Sequence, residues 1–223
     1  MIDIHLIRHS QSEWHLENKY AGHTDICLTE TGKKQSQDVA LWASSLELTA
    51  LYSSNSLRAT QTAKPISDYC KIPLQVDSRL REVNFGVIEG LNPMEFRSKH
   101  PDLYRDFLEK PAETVMPEGE SGTVALERAW GAIEKILIDH STGNVLVITH
   151  GTLIRLIACR FLGIDLNEYR RVFPLVPNAG RMWFRTHLET LSDGRTVTRA
   201  GLMKFDQVTP LCHPARNSEK MRI

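Results

Sequence analysis

No stretch of this chain approaches the ~20 consecutive apolar residues of a membrane-spanning helix, so a helical membrane protein is excluded. Its N-terminus lacks a basic segment, an apolar stretch and a small-residue cleavage site in series. A cytoplasmic protein is therefore expected. Charge of one sign is also missing: 27 basic residues face 27 acidic ones. Neither nucleic acid nor an anionic membrane is expected as a partner. Cysteine is sparse. Cys27, Cys70, Cys159 and Cys212 are widely separated and form no CxxC pair, which argues against a zinc site and a disulfide framework. The nine histidines contain no HExxH pattern, and no metal is expected. Repeats and a convincing linker are absent as well.

What is present is ordinary for a globular chain with a real core: 223 residues, 41% hydrophobic and 24% charged. One domain over 1–223 is the simplest organisation. The most informative stretch is Ile2 to Glu13. Ile2, Ile4, Leu6 and Ile7 read as a buried strand. The run stops at Arg8-His9. Ser10 and Glu13 then fit a capping box at the mouth of a helix. Helix-end N–H groups and a guanidinium both favour phosphate, and an imidazole beside them can act as a nucleophile. The bland alternative is a strand that merely ends on solvated polar groups. A second apolar run, Val145 to Ile148, also ends on a histidine, His150, followed by Gly151. Two buried strands that each deliver a histidine to the C-terminal edge suit a ligand crevice in an α/β sheet.

Three further blocks carry candidate chemistry. Arg58 falls in the first turn of a helix that opens after Ser54-Asn55-Ser56, where a cation is poorly placed for the helix dipole. It is either a surface arginine or one that shares an anion with the helix end. Glu82 stands between Leu80 and Val83. Apolar neighbours would raise its pKa and keep it protonated as an acid, and the alternative is an exposed Glu paired with Arg79 or Arg81. Thr123 to His140 carries apolar residues at spacings of three and four, one long amphipathic helix. Leu153 to Leu162 reads as a buried helix, with Arg155 and Arg160 solvated or paired rather than ligating. Met182 to Leu188 and Thr196 to Phe205 read as a hairpin around Ser192-Asp-Gly-Arg195. The polar tail at about 209–223 is expected to be mobile.

Leu6-Ile7-Arg8-His9, Ser54 to Ala63, Leu80-Arg81-Glu82 and Val147-Ile148-Thr149-His150-Gly151 together resemble the signature blocks of the histidine phosphatase superfamily, which includes phosphoglycerate mutases and many phosphatases. The blocks occur in the family's order. The resemblance implies a three-layer α/β/α sandwich around a mostly parallel sheet, phosphoglycerate mutase-like, with a helical lid insertion at about 91–122. It implies His9 as nucleophile, Arg8, Arg58 and His150 as the phosphate cradle, and Glu82 as proton donor. It implies no cofactor and no metal.

The same resemblance makes His15, Ala21, Gly22, His23 and Gly151 candidates for shaping the substrate pocket. It places the loop Val176 to Gly180 beside that pocket. Family members usually carry Gly where this chain has Ser10, and that side chain is expected to fill space near the reacting phosphate. Mutases carry a longer insertion, with basic residues that grip the substrate carboxylate. This chain's insertion looks like the phosphatase branch. The expected function is hydrolysis of a small phosphomonoester through phospho-His9. A bisphosphoglycerate-dependent mutase, a protein phosphatase and a non-enzymatic phosphate-binding module stay open, as does a homodimer.

Overall fold

In the computed structural model, which describes residues 1–194 and 196–207, six strands form one sheet. They are β1 (Ile2–Arg8), β2 (Leu48–Ser53), β3 (Leu74–Val76), β4 (Gly143–Thr149), β5 (Gly180–Thr190) and β6 (Thr196–Gln207). The order is β3-β2-β4-β1-β5-β6. The first four strands are parallel, and β5 and β6 add an antiparallel edge. In the centre, β1 runs beside β4 in register from Ile2 with Gly143 to Arg8 with Thr149. That register sets His9 next to His150 at one edge of the sheet, and His9 N donates to Thr149 O at 2.8 Å.

Both faces of the central strands are covered, which is why β1 and β4 read as near-continuous apolar runs. Ile4, Leu6, Val145 and Val147 pack under α6 (Gly122–Asp139) and α7 (Gly151–Leu162). Ile7, Leu146 and Ile148 pack under α2 (Glu30–Ala43) and α3 (Leu57–Cys70). Each fully buried aliphatic side chain of this kind contributes about 1.5–3 kcal/mol over leaving it exposed. The three layers expected from the resemblance are thus present.

Two short helices, α4 (Pro93–Lys99) and α5 (Pro101–Glu109), lie in the insertion. Asn92 caps α4 by accepting from Met94 N and Glu95 N, and prolines open both helices. Phe96 and Phe107 anchor the pair in the core beside Tyr20 and Phe85. The insertion is therefore a docked part of the core.

The N-terminal turn differs from the sequence expectation. Helix α1 (Glu13–Leu16) is one turn long, and its cap is Ser12, not Ser10. A bridge between Ser12 and Leu28 fixes that register, and the His15 ring returns to Ser12. Helix α2 starts at Glu30, with Thr29 accepting from Gly32 N. The hairpin turn falls at the expected place up to Gly194; Arg195 and the expected tail lie outside the described residues. No helix among the described residues is long and apolar enough to cross a membrane.

Candidate active site

Four of the motif residues meet at the carboxyl ends of β1 and β4, and Glu82 joins them from the loop after β3. His9 is buried, and its Nδ1 lies 2.8 Å from Ser10 O. A carbonyl only accepts, so Nδ1 carries the proton and Nε2 keeps its lone pair. Arg58 Nε donates to that Nε2 at 3.2 Å. Burial first, then the Arg58 guanidinium, holds the His9 imidazole well below its ordinary value, so the ring is neutral near pH 7.

Arg58 is wholly buried, although it opens a helix. Nη1 donates to Thr24 O at 2.8 Å, and Nη2 to Gly22 O at 2.8 Å and Ala21 O at 3.1 Å. Nη2 also reaches His150 Nδ1 at 3.3 Å. Arginine only donates, so His150 Nδ1 accepts, and Nε2 donates to Ser54 Oγ at 2.7 Å. Burial and then Arg58 push His150 well down too. Arg8 donates to Val176 O and to His15 Nε2. His15 Nδ1 accepts from Ser12 N at 3.1 Å and lies 3.0 Å from Ser12 Oγ.

The Glu82 carboxyl does not sit among apolar neighbours as its sequence position implied. It lies at the N-terminus of α7, where Oε1 accepts from Leu153 N at 2.9 Å and Val83 N at 3.0 Å, and Oε2 from Thr152 N at 2.9 Å. The N-terminus of α3 is likewise met by a protein carboxylate, Asp25 Oδ1 accepting from Leu57 N at 3.0 Å. Neither helix end is thus spent on a ligand, and no helix of useful length opens directly after His9. A phosphate here meets side-chain donors instead.

Arg8, His9, His15, Ala21, Glu82 and Gly151 line one cavity of about 290 Å³. Of the expected pocket residues, His15, Ala21 and Gly151 are on its wall. A Cβ at Gly151 would meet Arg8 Nε at 3.1 Å, so glycine there leaves Arg8 its place. Gly22 and His23 are not on the wall. Gly22 holds Arg58 through its carbonyl, and His23 Nε2 lies 3.1 Å from Glu82 O. Ser10 is also off the wall. It is fully buried, its N–H donates to Thr62 Oγ1 at 3.0 Å, and its hydroxyl has no hydrogen-bond partner among the described residues. The loop Val176 to Gly180 flanks the cavity as expected, and Asn178 Nδ2 donates to His9 O at 3.3 Å.

Sequence reasoning missed three groups of residues. Glu89 accepts from His23 N and Thr24 N, both at 2.8 Å, and so ties down the loop whose carbonyls hold Arg58. Arg128 donates to the carbonyls of Arg79, Arg81 and Glu82 and to Glu120 Oε1, fixing the loop that carries Glu82. Arg155 and Arg170 line the cavity, where Arg155 Nε donates to Gly151 O at 3.1 Å. Arg160 does pair, with Glu127, and lies over the Trp130 ring. A tally of sequence neighbours could not have found the first two, because their partners are carbonyls from other loops.

A neutral imidazole whose unprotonated Nε2 accepts from Arg58 thus stands with two arginines and a carboxyl at the edge of a parallel sheet. Residues 4–192 match the profile of the histidine phosphatase superfamily, branch 1, and the chain belongs to that family. It is a phosphomonoester hydrolase of the class that works through a histidine without a metal. It is 31% identical to Phosphoserine phosphatase 1 of Hydrogenobacter thermophilus over 169 residues, covering 76% of this chain and 80% of that protein. It is 30% identical to "Probable phosphoglycerate mutase GpmB" of Escherichia coli over 201 residues, 90% of this chain and 93% of the other. Its fold matches that of the mycobacterial glucosyl-3-phosphoglycerate phosphatase, with a TM-score of 0.82 at 21% identity, covering 92% of this chain and 99% of that one.

Proposed function

We propose that the chain hydrolyses a small phosphomonoester in two steps, with His9 as nucleophile and Glu82 as proton carrier. His9 Nε2 attacks phosphorus, the ester P–O bond breaks, and Glu82, having taken up the proton that a monoanionic ester brings, passes it to the leaving alkoxide. Water then attacks phospho-His9, Glu82 takes its proton back from that water, and inorganic phosphate leaves. Arg8 and Arg58 meet the non-bridging oxygens, and neutral His150, its one N–H on Ser54 Oγ, holds Arg58 through Nδ1. Their work is positioning and charge stabilisation, the two terms that dominate phosphoryl transfer. Arg58 must turn its Nε–H from His9 to a phosphoryl oxygen, which frees the lone pair as the phosphate arrives.

The observation that carries this reading is the tautomer of His9. Its proton is committed to Ser10 O, which leaves Nε2 as the one ring nitrogen able to attack. A cavity of about 290 Å³, bordered by Phe85, Tyr104 and Phe107, fits a small ester better than a folded protein. We take the enzyme to be cytoplasmic and to need no nucleic-acid partner. Sedimentation decides between a single copy and a homodimer.

The test is phosphate release from a panel of small esters in EDTA, with wild type and His9→Ala side by side. Wild type should release phosphate and form an acid-labile phosphohistidine. The variant should do neither while keeping its circular dichroism. Near-normal release by His9→Ala would refute the nucleophile. The panel includes 3-phosphoglycerate with a bisphosphoglycerate primer. Isomerisation without release would make the chain a mutase.

A further inference from the structure

The phosphate cradle and the proton carrier come from different loops, and the reaction needs them in register. Arg58 is held by the carbonyls of Ala21, Gly22 and Thr24. Glu82 stands in the segment after β3. The two loops lie directly against each other. A Cβ at Gly22 would stand 2.6 Å from Val83 O and 2.8 Å from Phe85 N. Residue 23 falls between the carbonyls that hold Arg58, and His23 does not line the cavity. Its ring therefore acts away from the substrate.

Three polar groups of His23 are bonded to the segment 81–89. Its N–H donates to Glu89 Oε1 at 2.8 Å, and its carbonyl accepts from Arg81 Nη2 at 2.6 Å. Ring Nε2 lies 3.1 Å from Glu82 O, and a carbonyl only accepts, so Nε2 carries the proton and donates. Among the described residues this is the one hydrogen bond from the loop 21–25 to residue 82 itself. Arg128 Nη2 donates to the same carbonyl at 3.2 Å, from α6. The Glu82 carboxyl is held separately, by N–H groups of α7. Glu82 is thus tied to α6, to α7 and, through His23, to the loop that holds Arg58. Arg81, Arg128, Glu89 and Glu120 surround the His23 ring, with Glu120 Oε1 3.8 Å from Nε2. Burial and then Arg81 hold its pKa below the ordinary value, so the ring is neutral near pH 7. A second proton would go to Nδ1 and leave the bond to Glu82 O in place.

We propose that His23 is a positioning residue for proton transfer, its ring N–H holding the Glu82 backbone in register with the loop that carries Arg58. A phosphate on the cradle then has its ester oxygen within reach of the carboxyl. This rests on the reading of Glu82 as proton carrier. An apolar side chain at 23 leaves the loop tied through its backbone to Glu89 and Arg81, so the cradle stands while the register of Glu82 loosens. A misplacement of about 1 Å can cost ~10²-fold in rate. The loss falls on a leaving group that needs the proton and spares one that needs the cradle alone.

The experiment measures kcat and KM on an alkyl phosphate and on p-nitrophenyl phosphate for wild type, His23→Leu and His23→Gln. It repeats His23→Leu in the Glu82→Gln background. His23→Leu should lower kcat on the alkyl ester by about 10–100-fold, with a much smaller change on p-nitrophenyl phosphate and in either KM. His23→Gln, whose amide N–H can reach the same carbonyl, should restore most of that loss. In the Glu82→Gln background the loss from His23→Leu should vanish, because a residue that acts through Glu82 has nothing left to position. The ratio of rates on the two esters is unmoved by a loss of folded enzyme, so a variant that folds poorly still reports. Equal losses on the two esters, or a loss that persists in full in the Glu82→Gln background, would overturn the positioning role and leave Glu82 as proton carrier. Equal losses on the two esters by Glu82→Gln alone would remove the proton carrier and the positioning role with it.

Discussion

Glu82→Gln tests the proton carrier and its mooring in one variant. The carboxylate accepts three backbone N–H bonds, from Val83 and Leu153 on Oε1 and from Thr152 on Oε2. A glutamine keeps one acceptor oxygen. Its better orientation holds Val83 and Leu153 and turns the NH2 group toward Thr152 N–H, donor against donor. One buried donor without a partner costs about 1–3 kcal/mol, and the surviving bonds lose their charge assistance. The end of α7 also loses a negative charge worth ~0.5 kcal/mol. Together these come to about 3 kcal/mol, or a Tm lower by roughly 6–12 °C for a chain of this size. On an alkyl phosphate, kcat/KM should fall about 10²–10⁴-fold, the usual contribution of a positioned acid. On p-nitrophenyl phosphate the loss should be far smaller, because that leaving group needs no proton. The assay is steady-state kinetics on both esters beside a thermal melt. Equal losses on the two esters would refute the proton-carrier role. An unchanged Tm would refute the mooring.

The other predictions concern buried histidines and one partly buried arginine. His5 is buried against Trp42 and Trp183, and desolvation pushes its pKa down to about 4; His9 and His150 are also depressed. Below the unfolded value of about 6.5 the folded state then binds fewer protons than the unfolded one, so stability is full above that pH and is lost as pH falls. His5 alone should cost ~3 kcal/mol between pH 6.5 and 4. Urea unfolding at a series of pH values checks this, and a flat stability from pH 6.5 to 5 would contradict neutral buried histidines. Arg128 is a positioning residue for Glu82. Arg128→Ala should lower kcat on an alkyl phosphate by about 10–100-fold with a smaller loss on p-nitrophenyl phosphate and little change in either KM. A matching loss on both esters would mean that Arg128 only stabilises the fold.

The frame was legible because each strand and long helix carries its own periodicity. Ile4, Leu6 and Ile7 cover both faces of β1, and Ala125, Leu126, Ala129 and Ile133 mark the buried stripe of α6. The cradle was legible as motifs because Arg8, His9, His150 and Gly151 sit where two such strands stop. What stayed hidden depends on contacts made across the fold. Leu80 and Val83 flank Glu82 in sequence and pointed to an apolar site, yet its partners are N–H groups some 70 residues on, Thr152 and Leu153. An arginine on a helix reads the same whether it faces water or a cavity, so Arg155 and Arg170 gave no signal. Which they face is decided by where α5 and its Phe107 dock. Ser10 and Ser12 are equally good caps by residue type, and only the bridge to Leu28 selects Ser12.

The electrostatics of the resting site follow from one arrangement. Arg58 is buried without an ion pair among its bonds, held by three carbonyls and two imidazole nitrogens. Carbonyl dipoles offset only part of the cost of taking a guanidinium out of water. The remaining field acts on what is nearest. It disfavours protonation of His9 and His150, which keeps the nucleophile neutral, and it favours an incoming dianion. Were a carboxylate placed against Arg58 instead, the guanidinium would be better stabilised, the imidazoles would charge more readily, and phosphate would meet a neutral pair. The protein's own carboxylates are moored at helix ends, Asp25 on α3 and Glu82 on α7, where they favour the charged Arg58 from a distance without pairing with it. The neutrality of His9, set first by burial and then by Arg58, and the affinity of its site for phosphate therefore both draw on the same partly compensated charge, and a substitution that compensates it further weakens both.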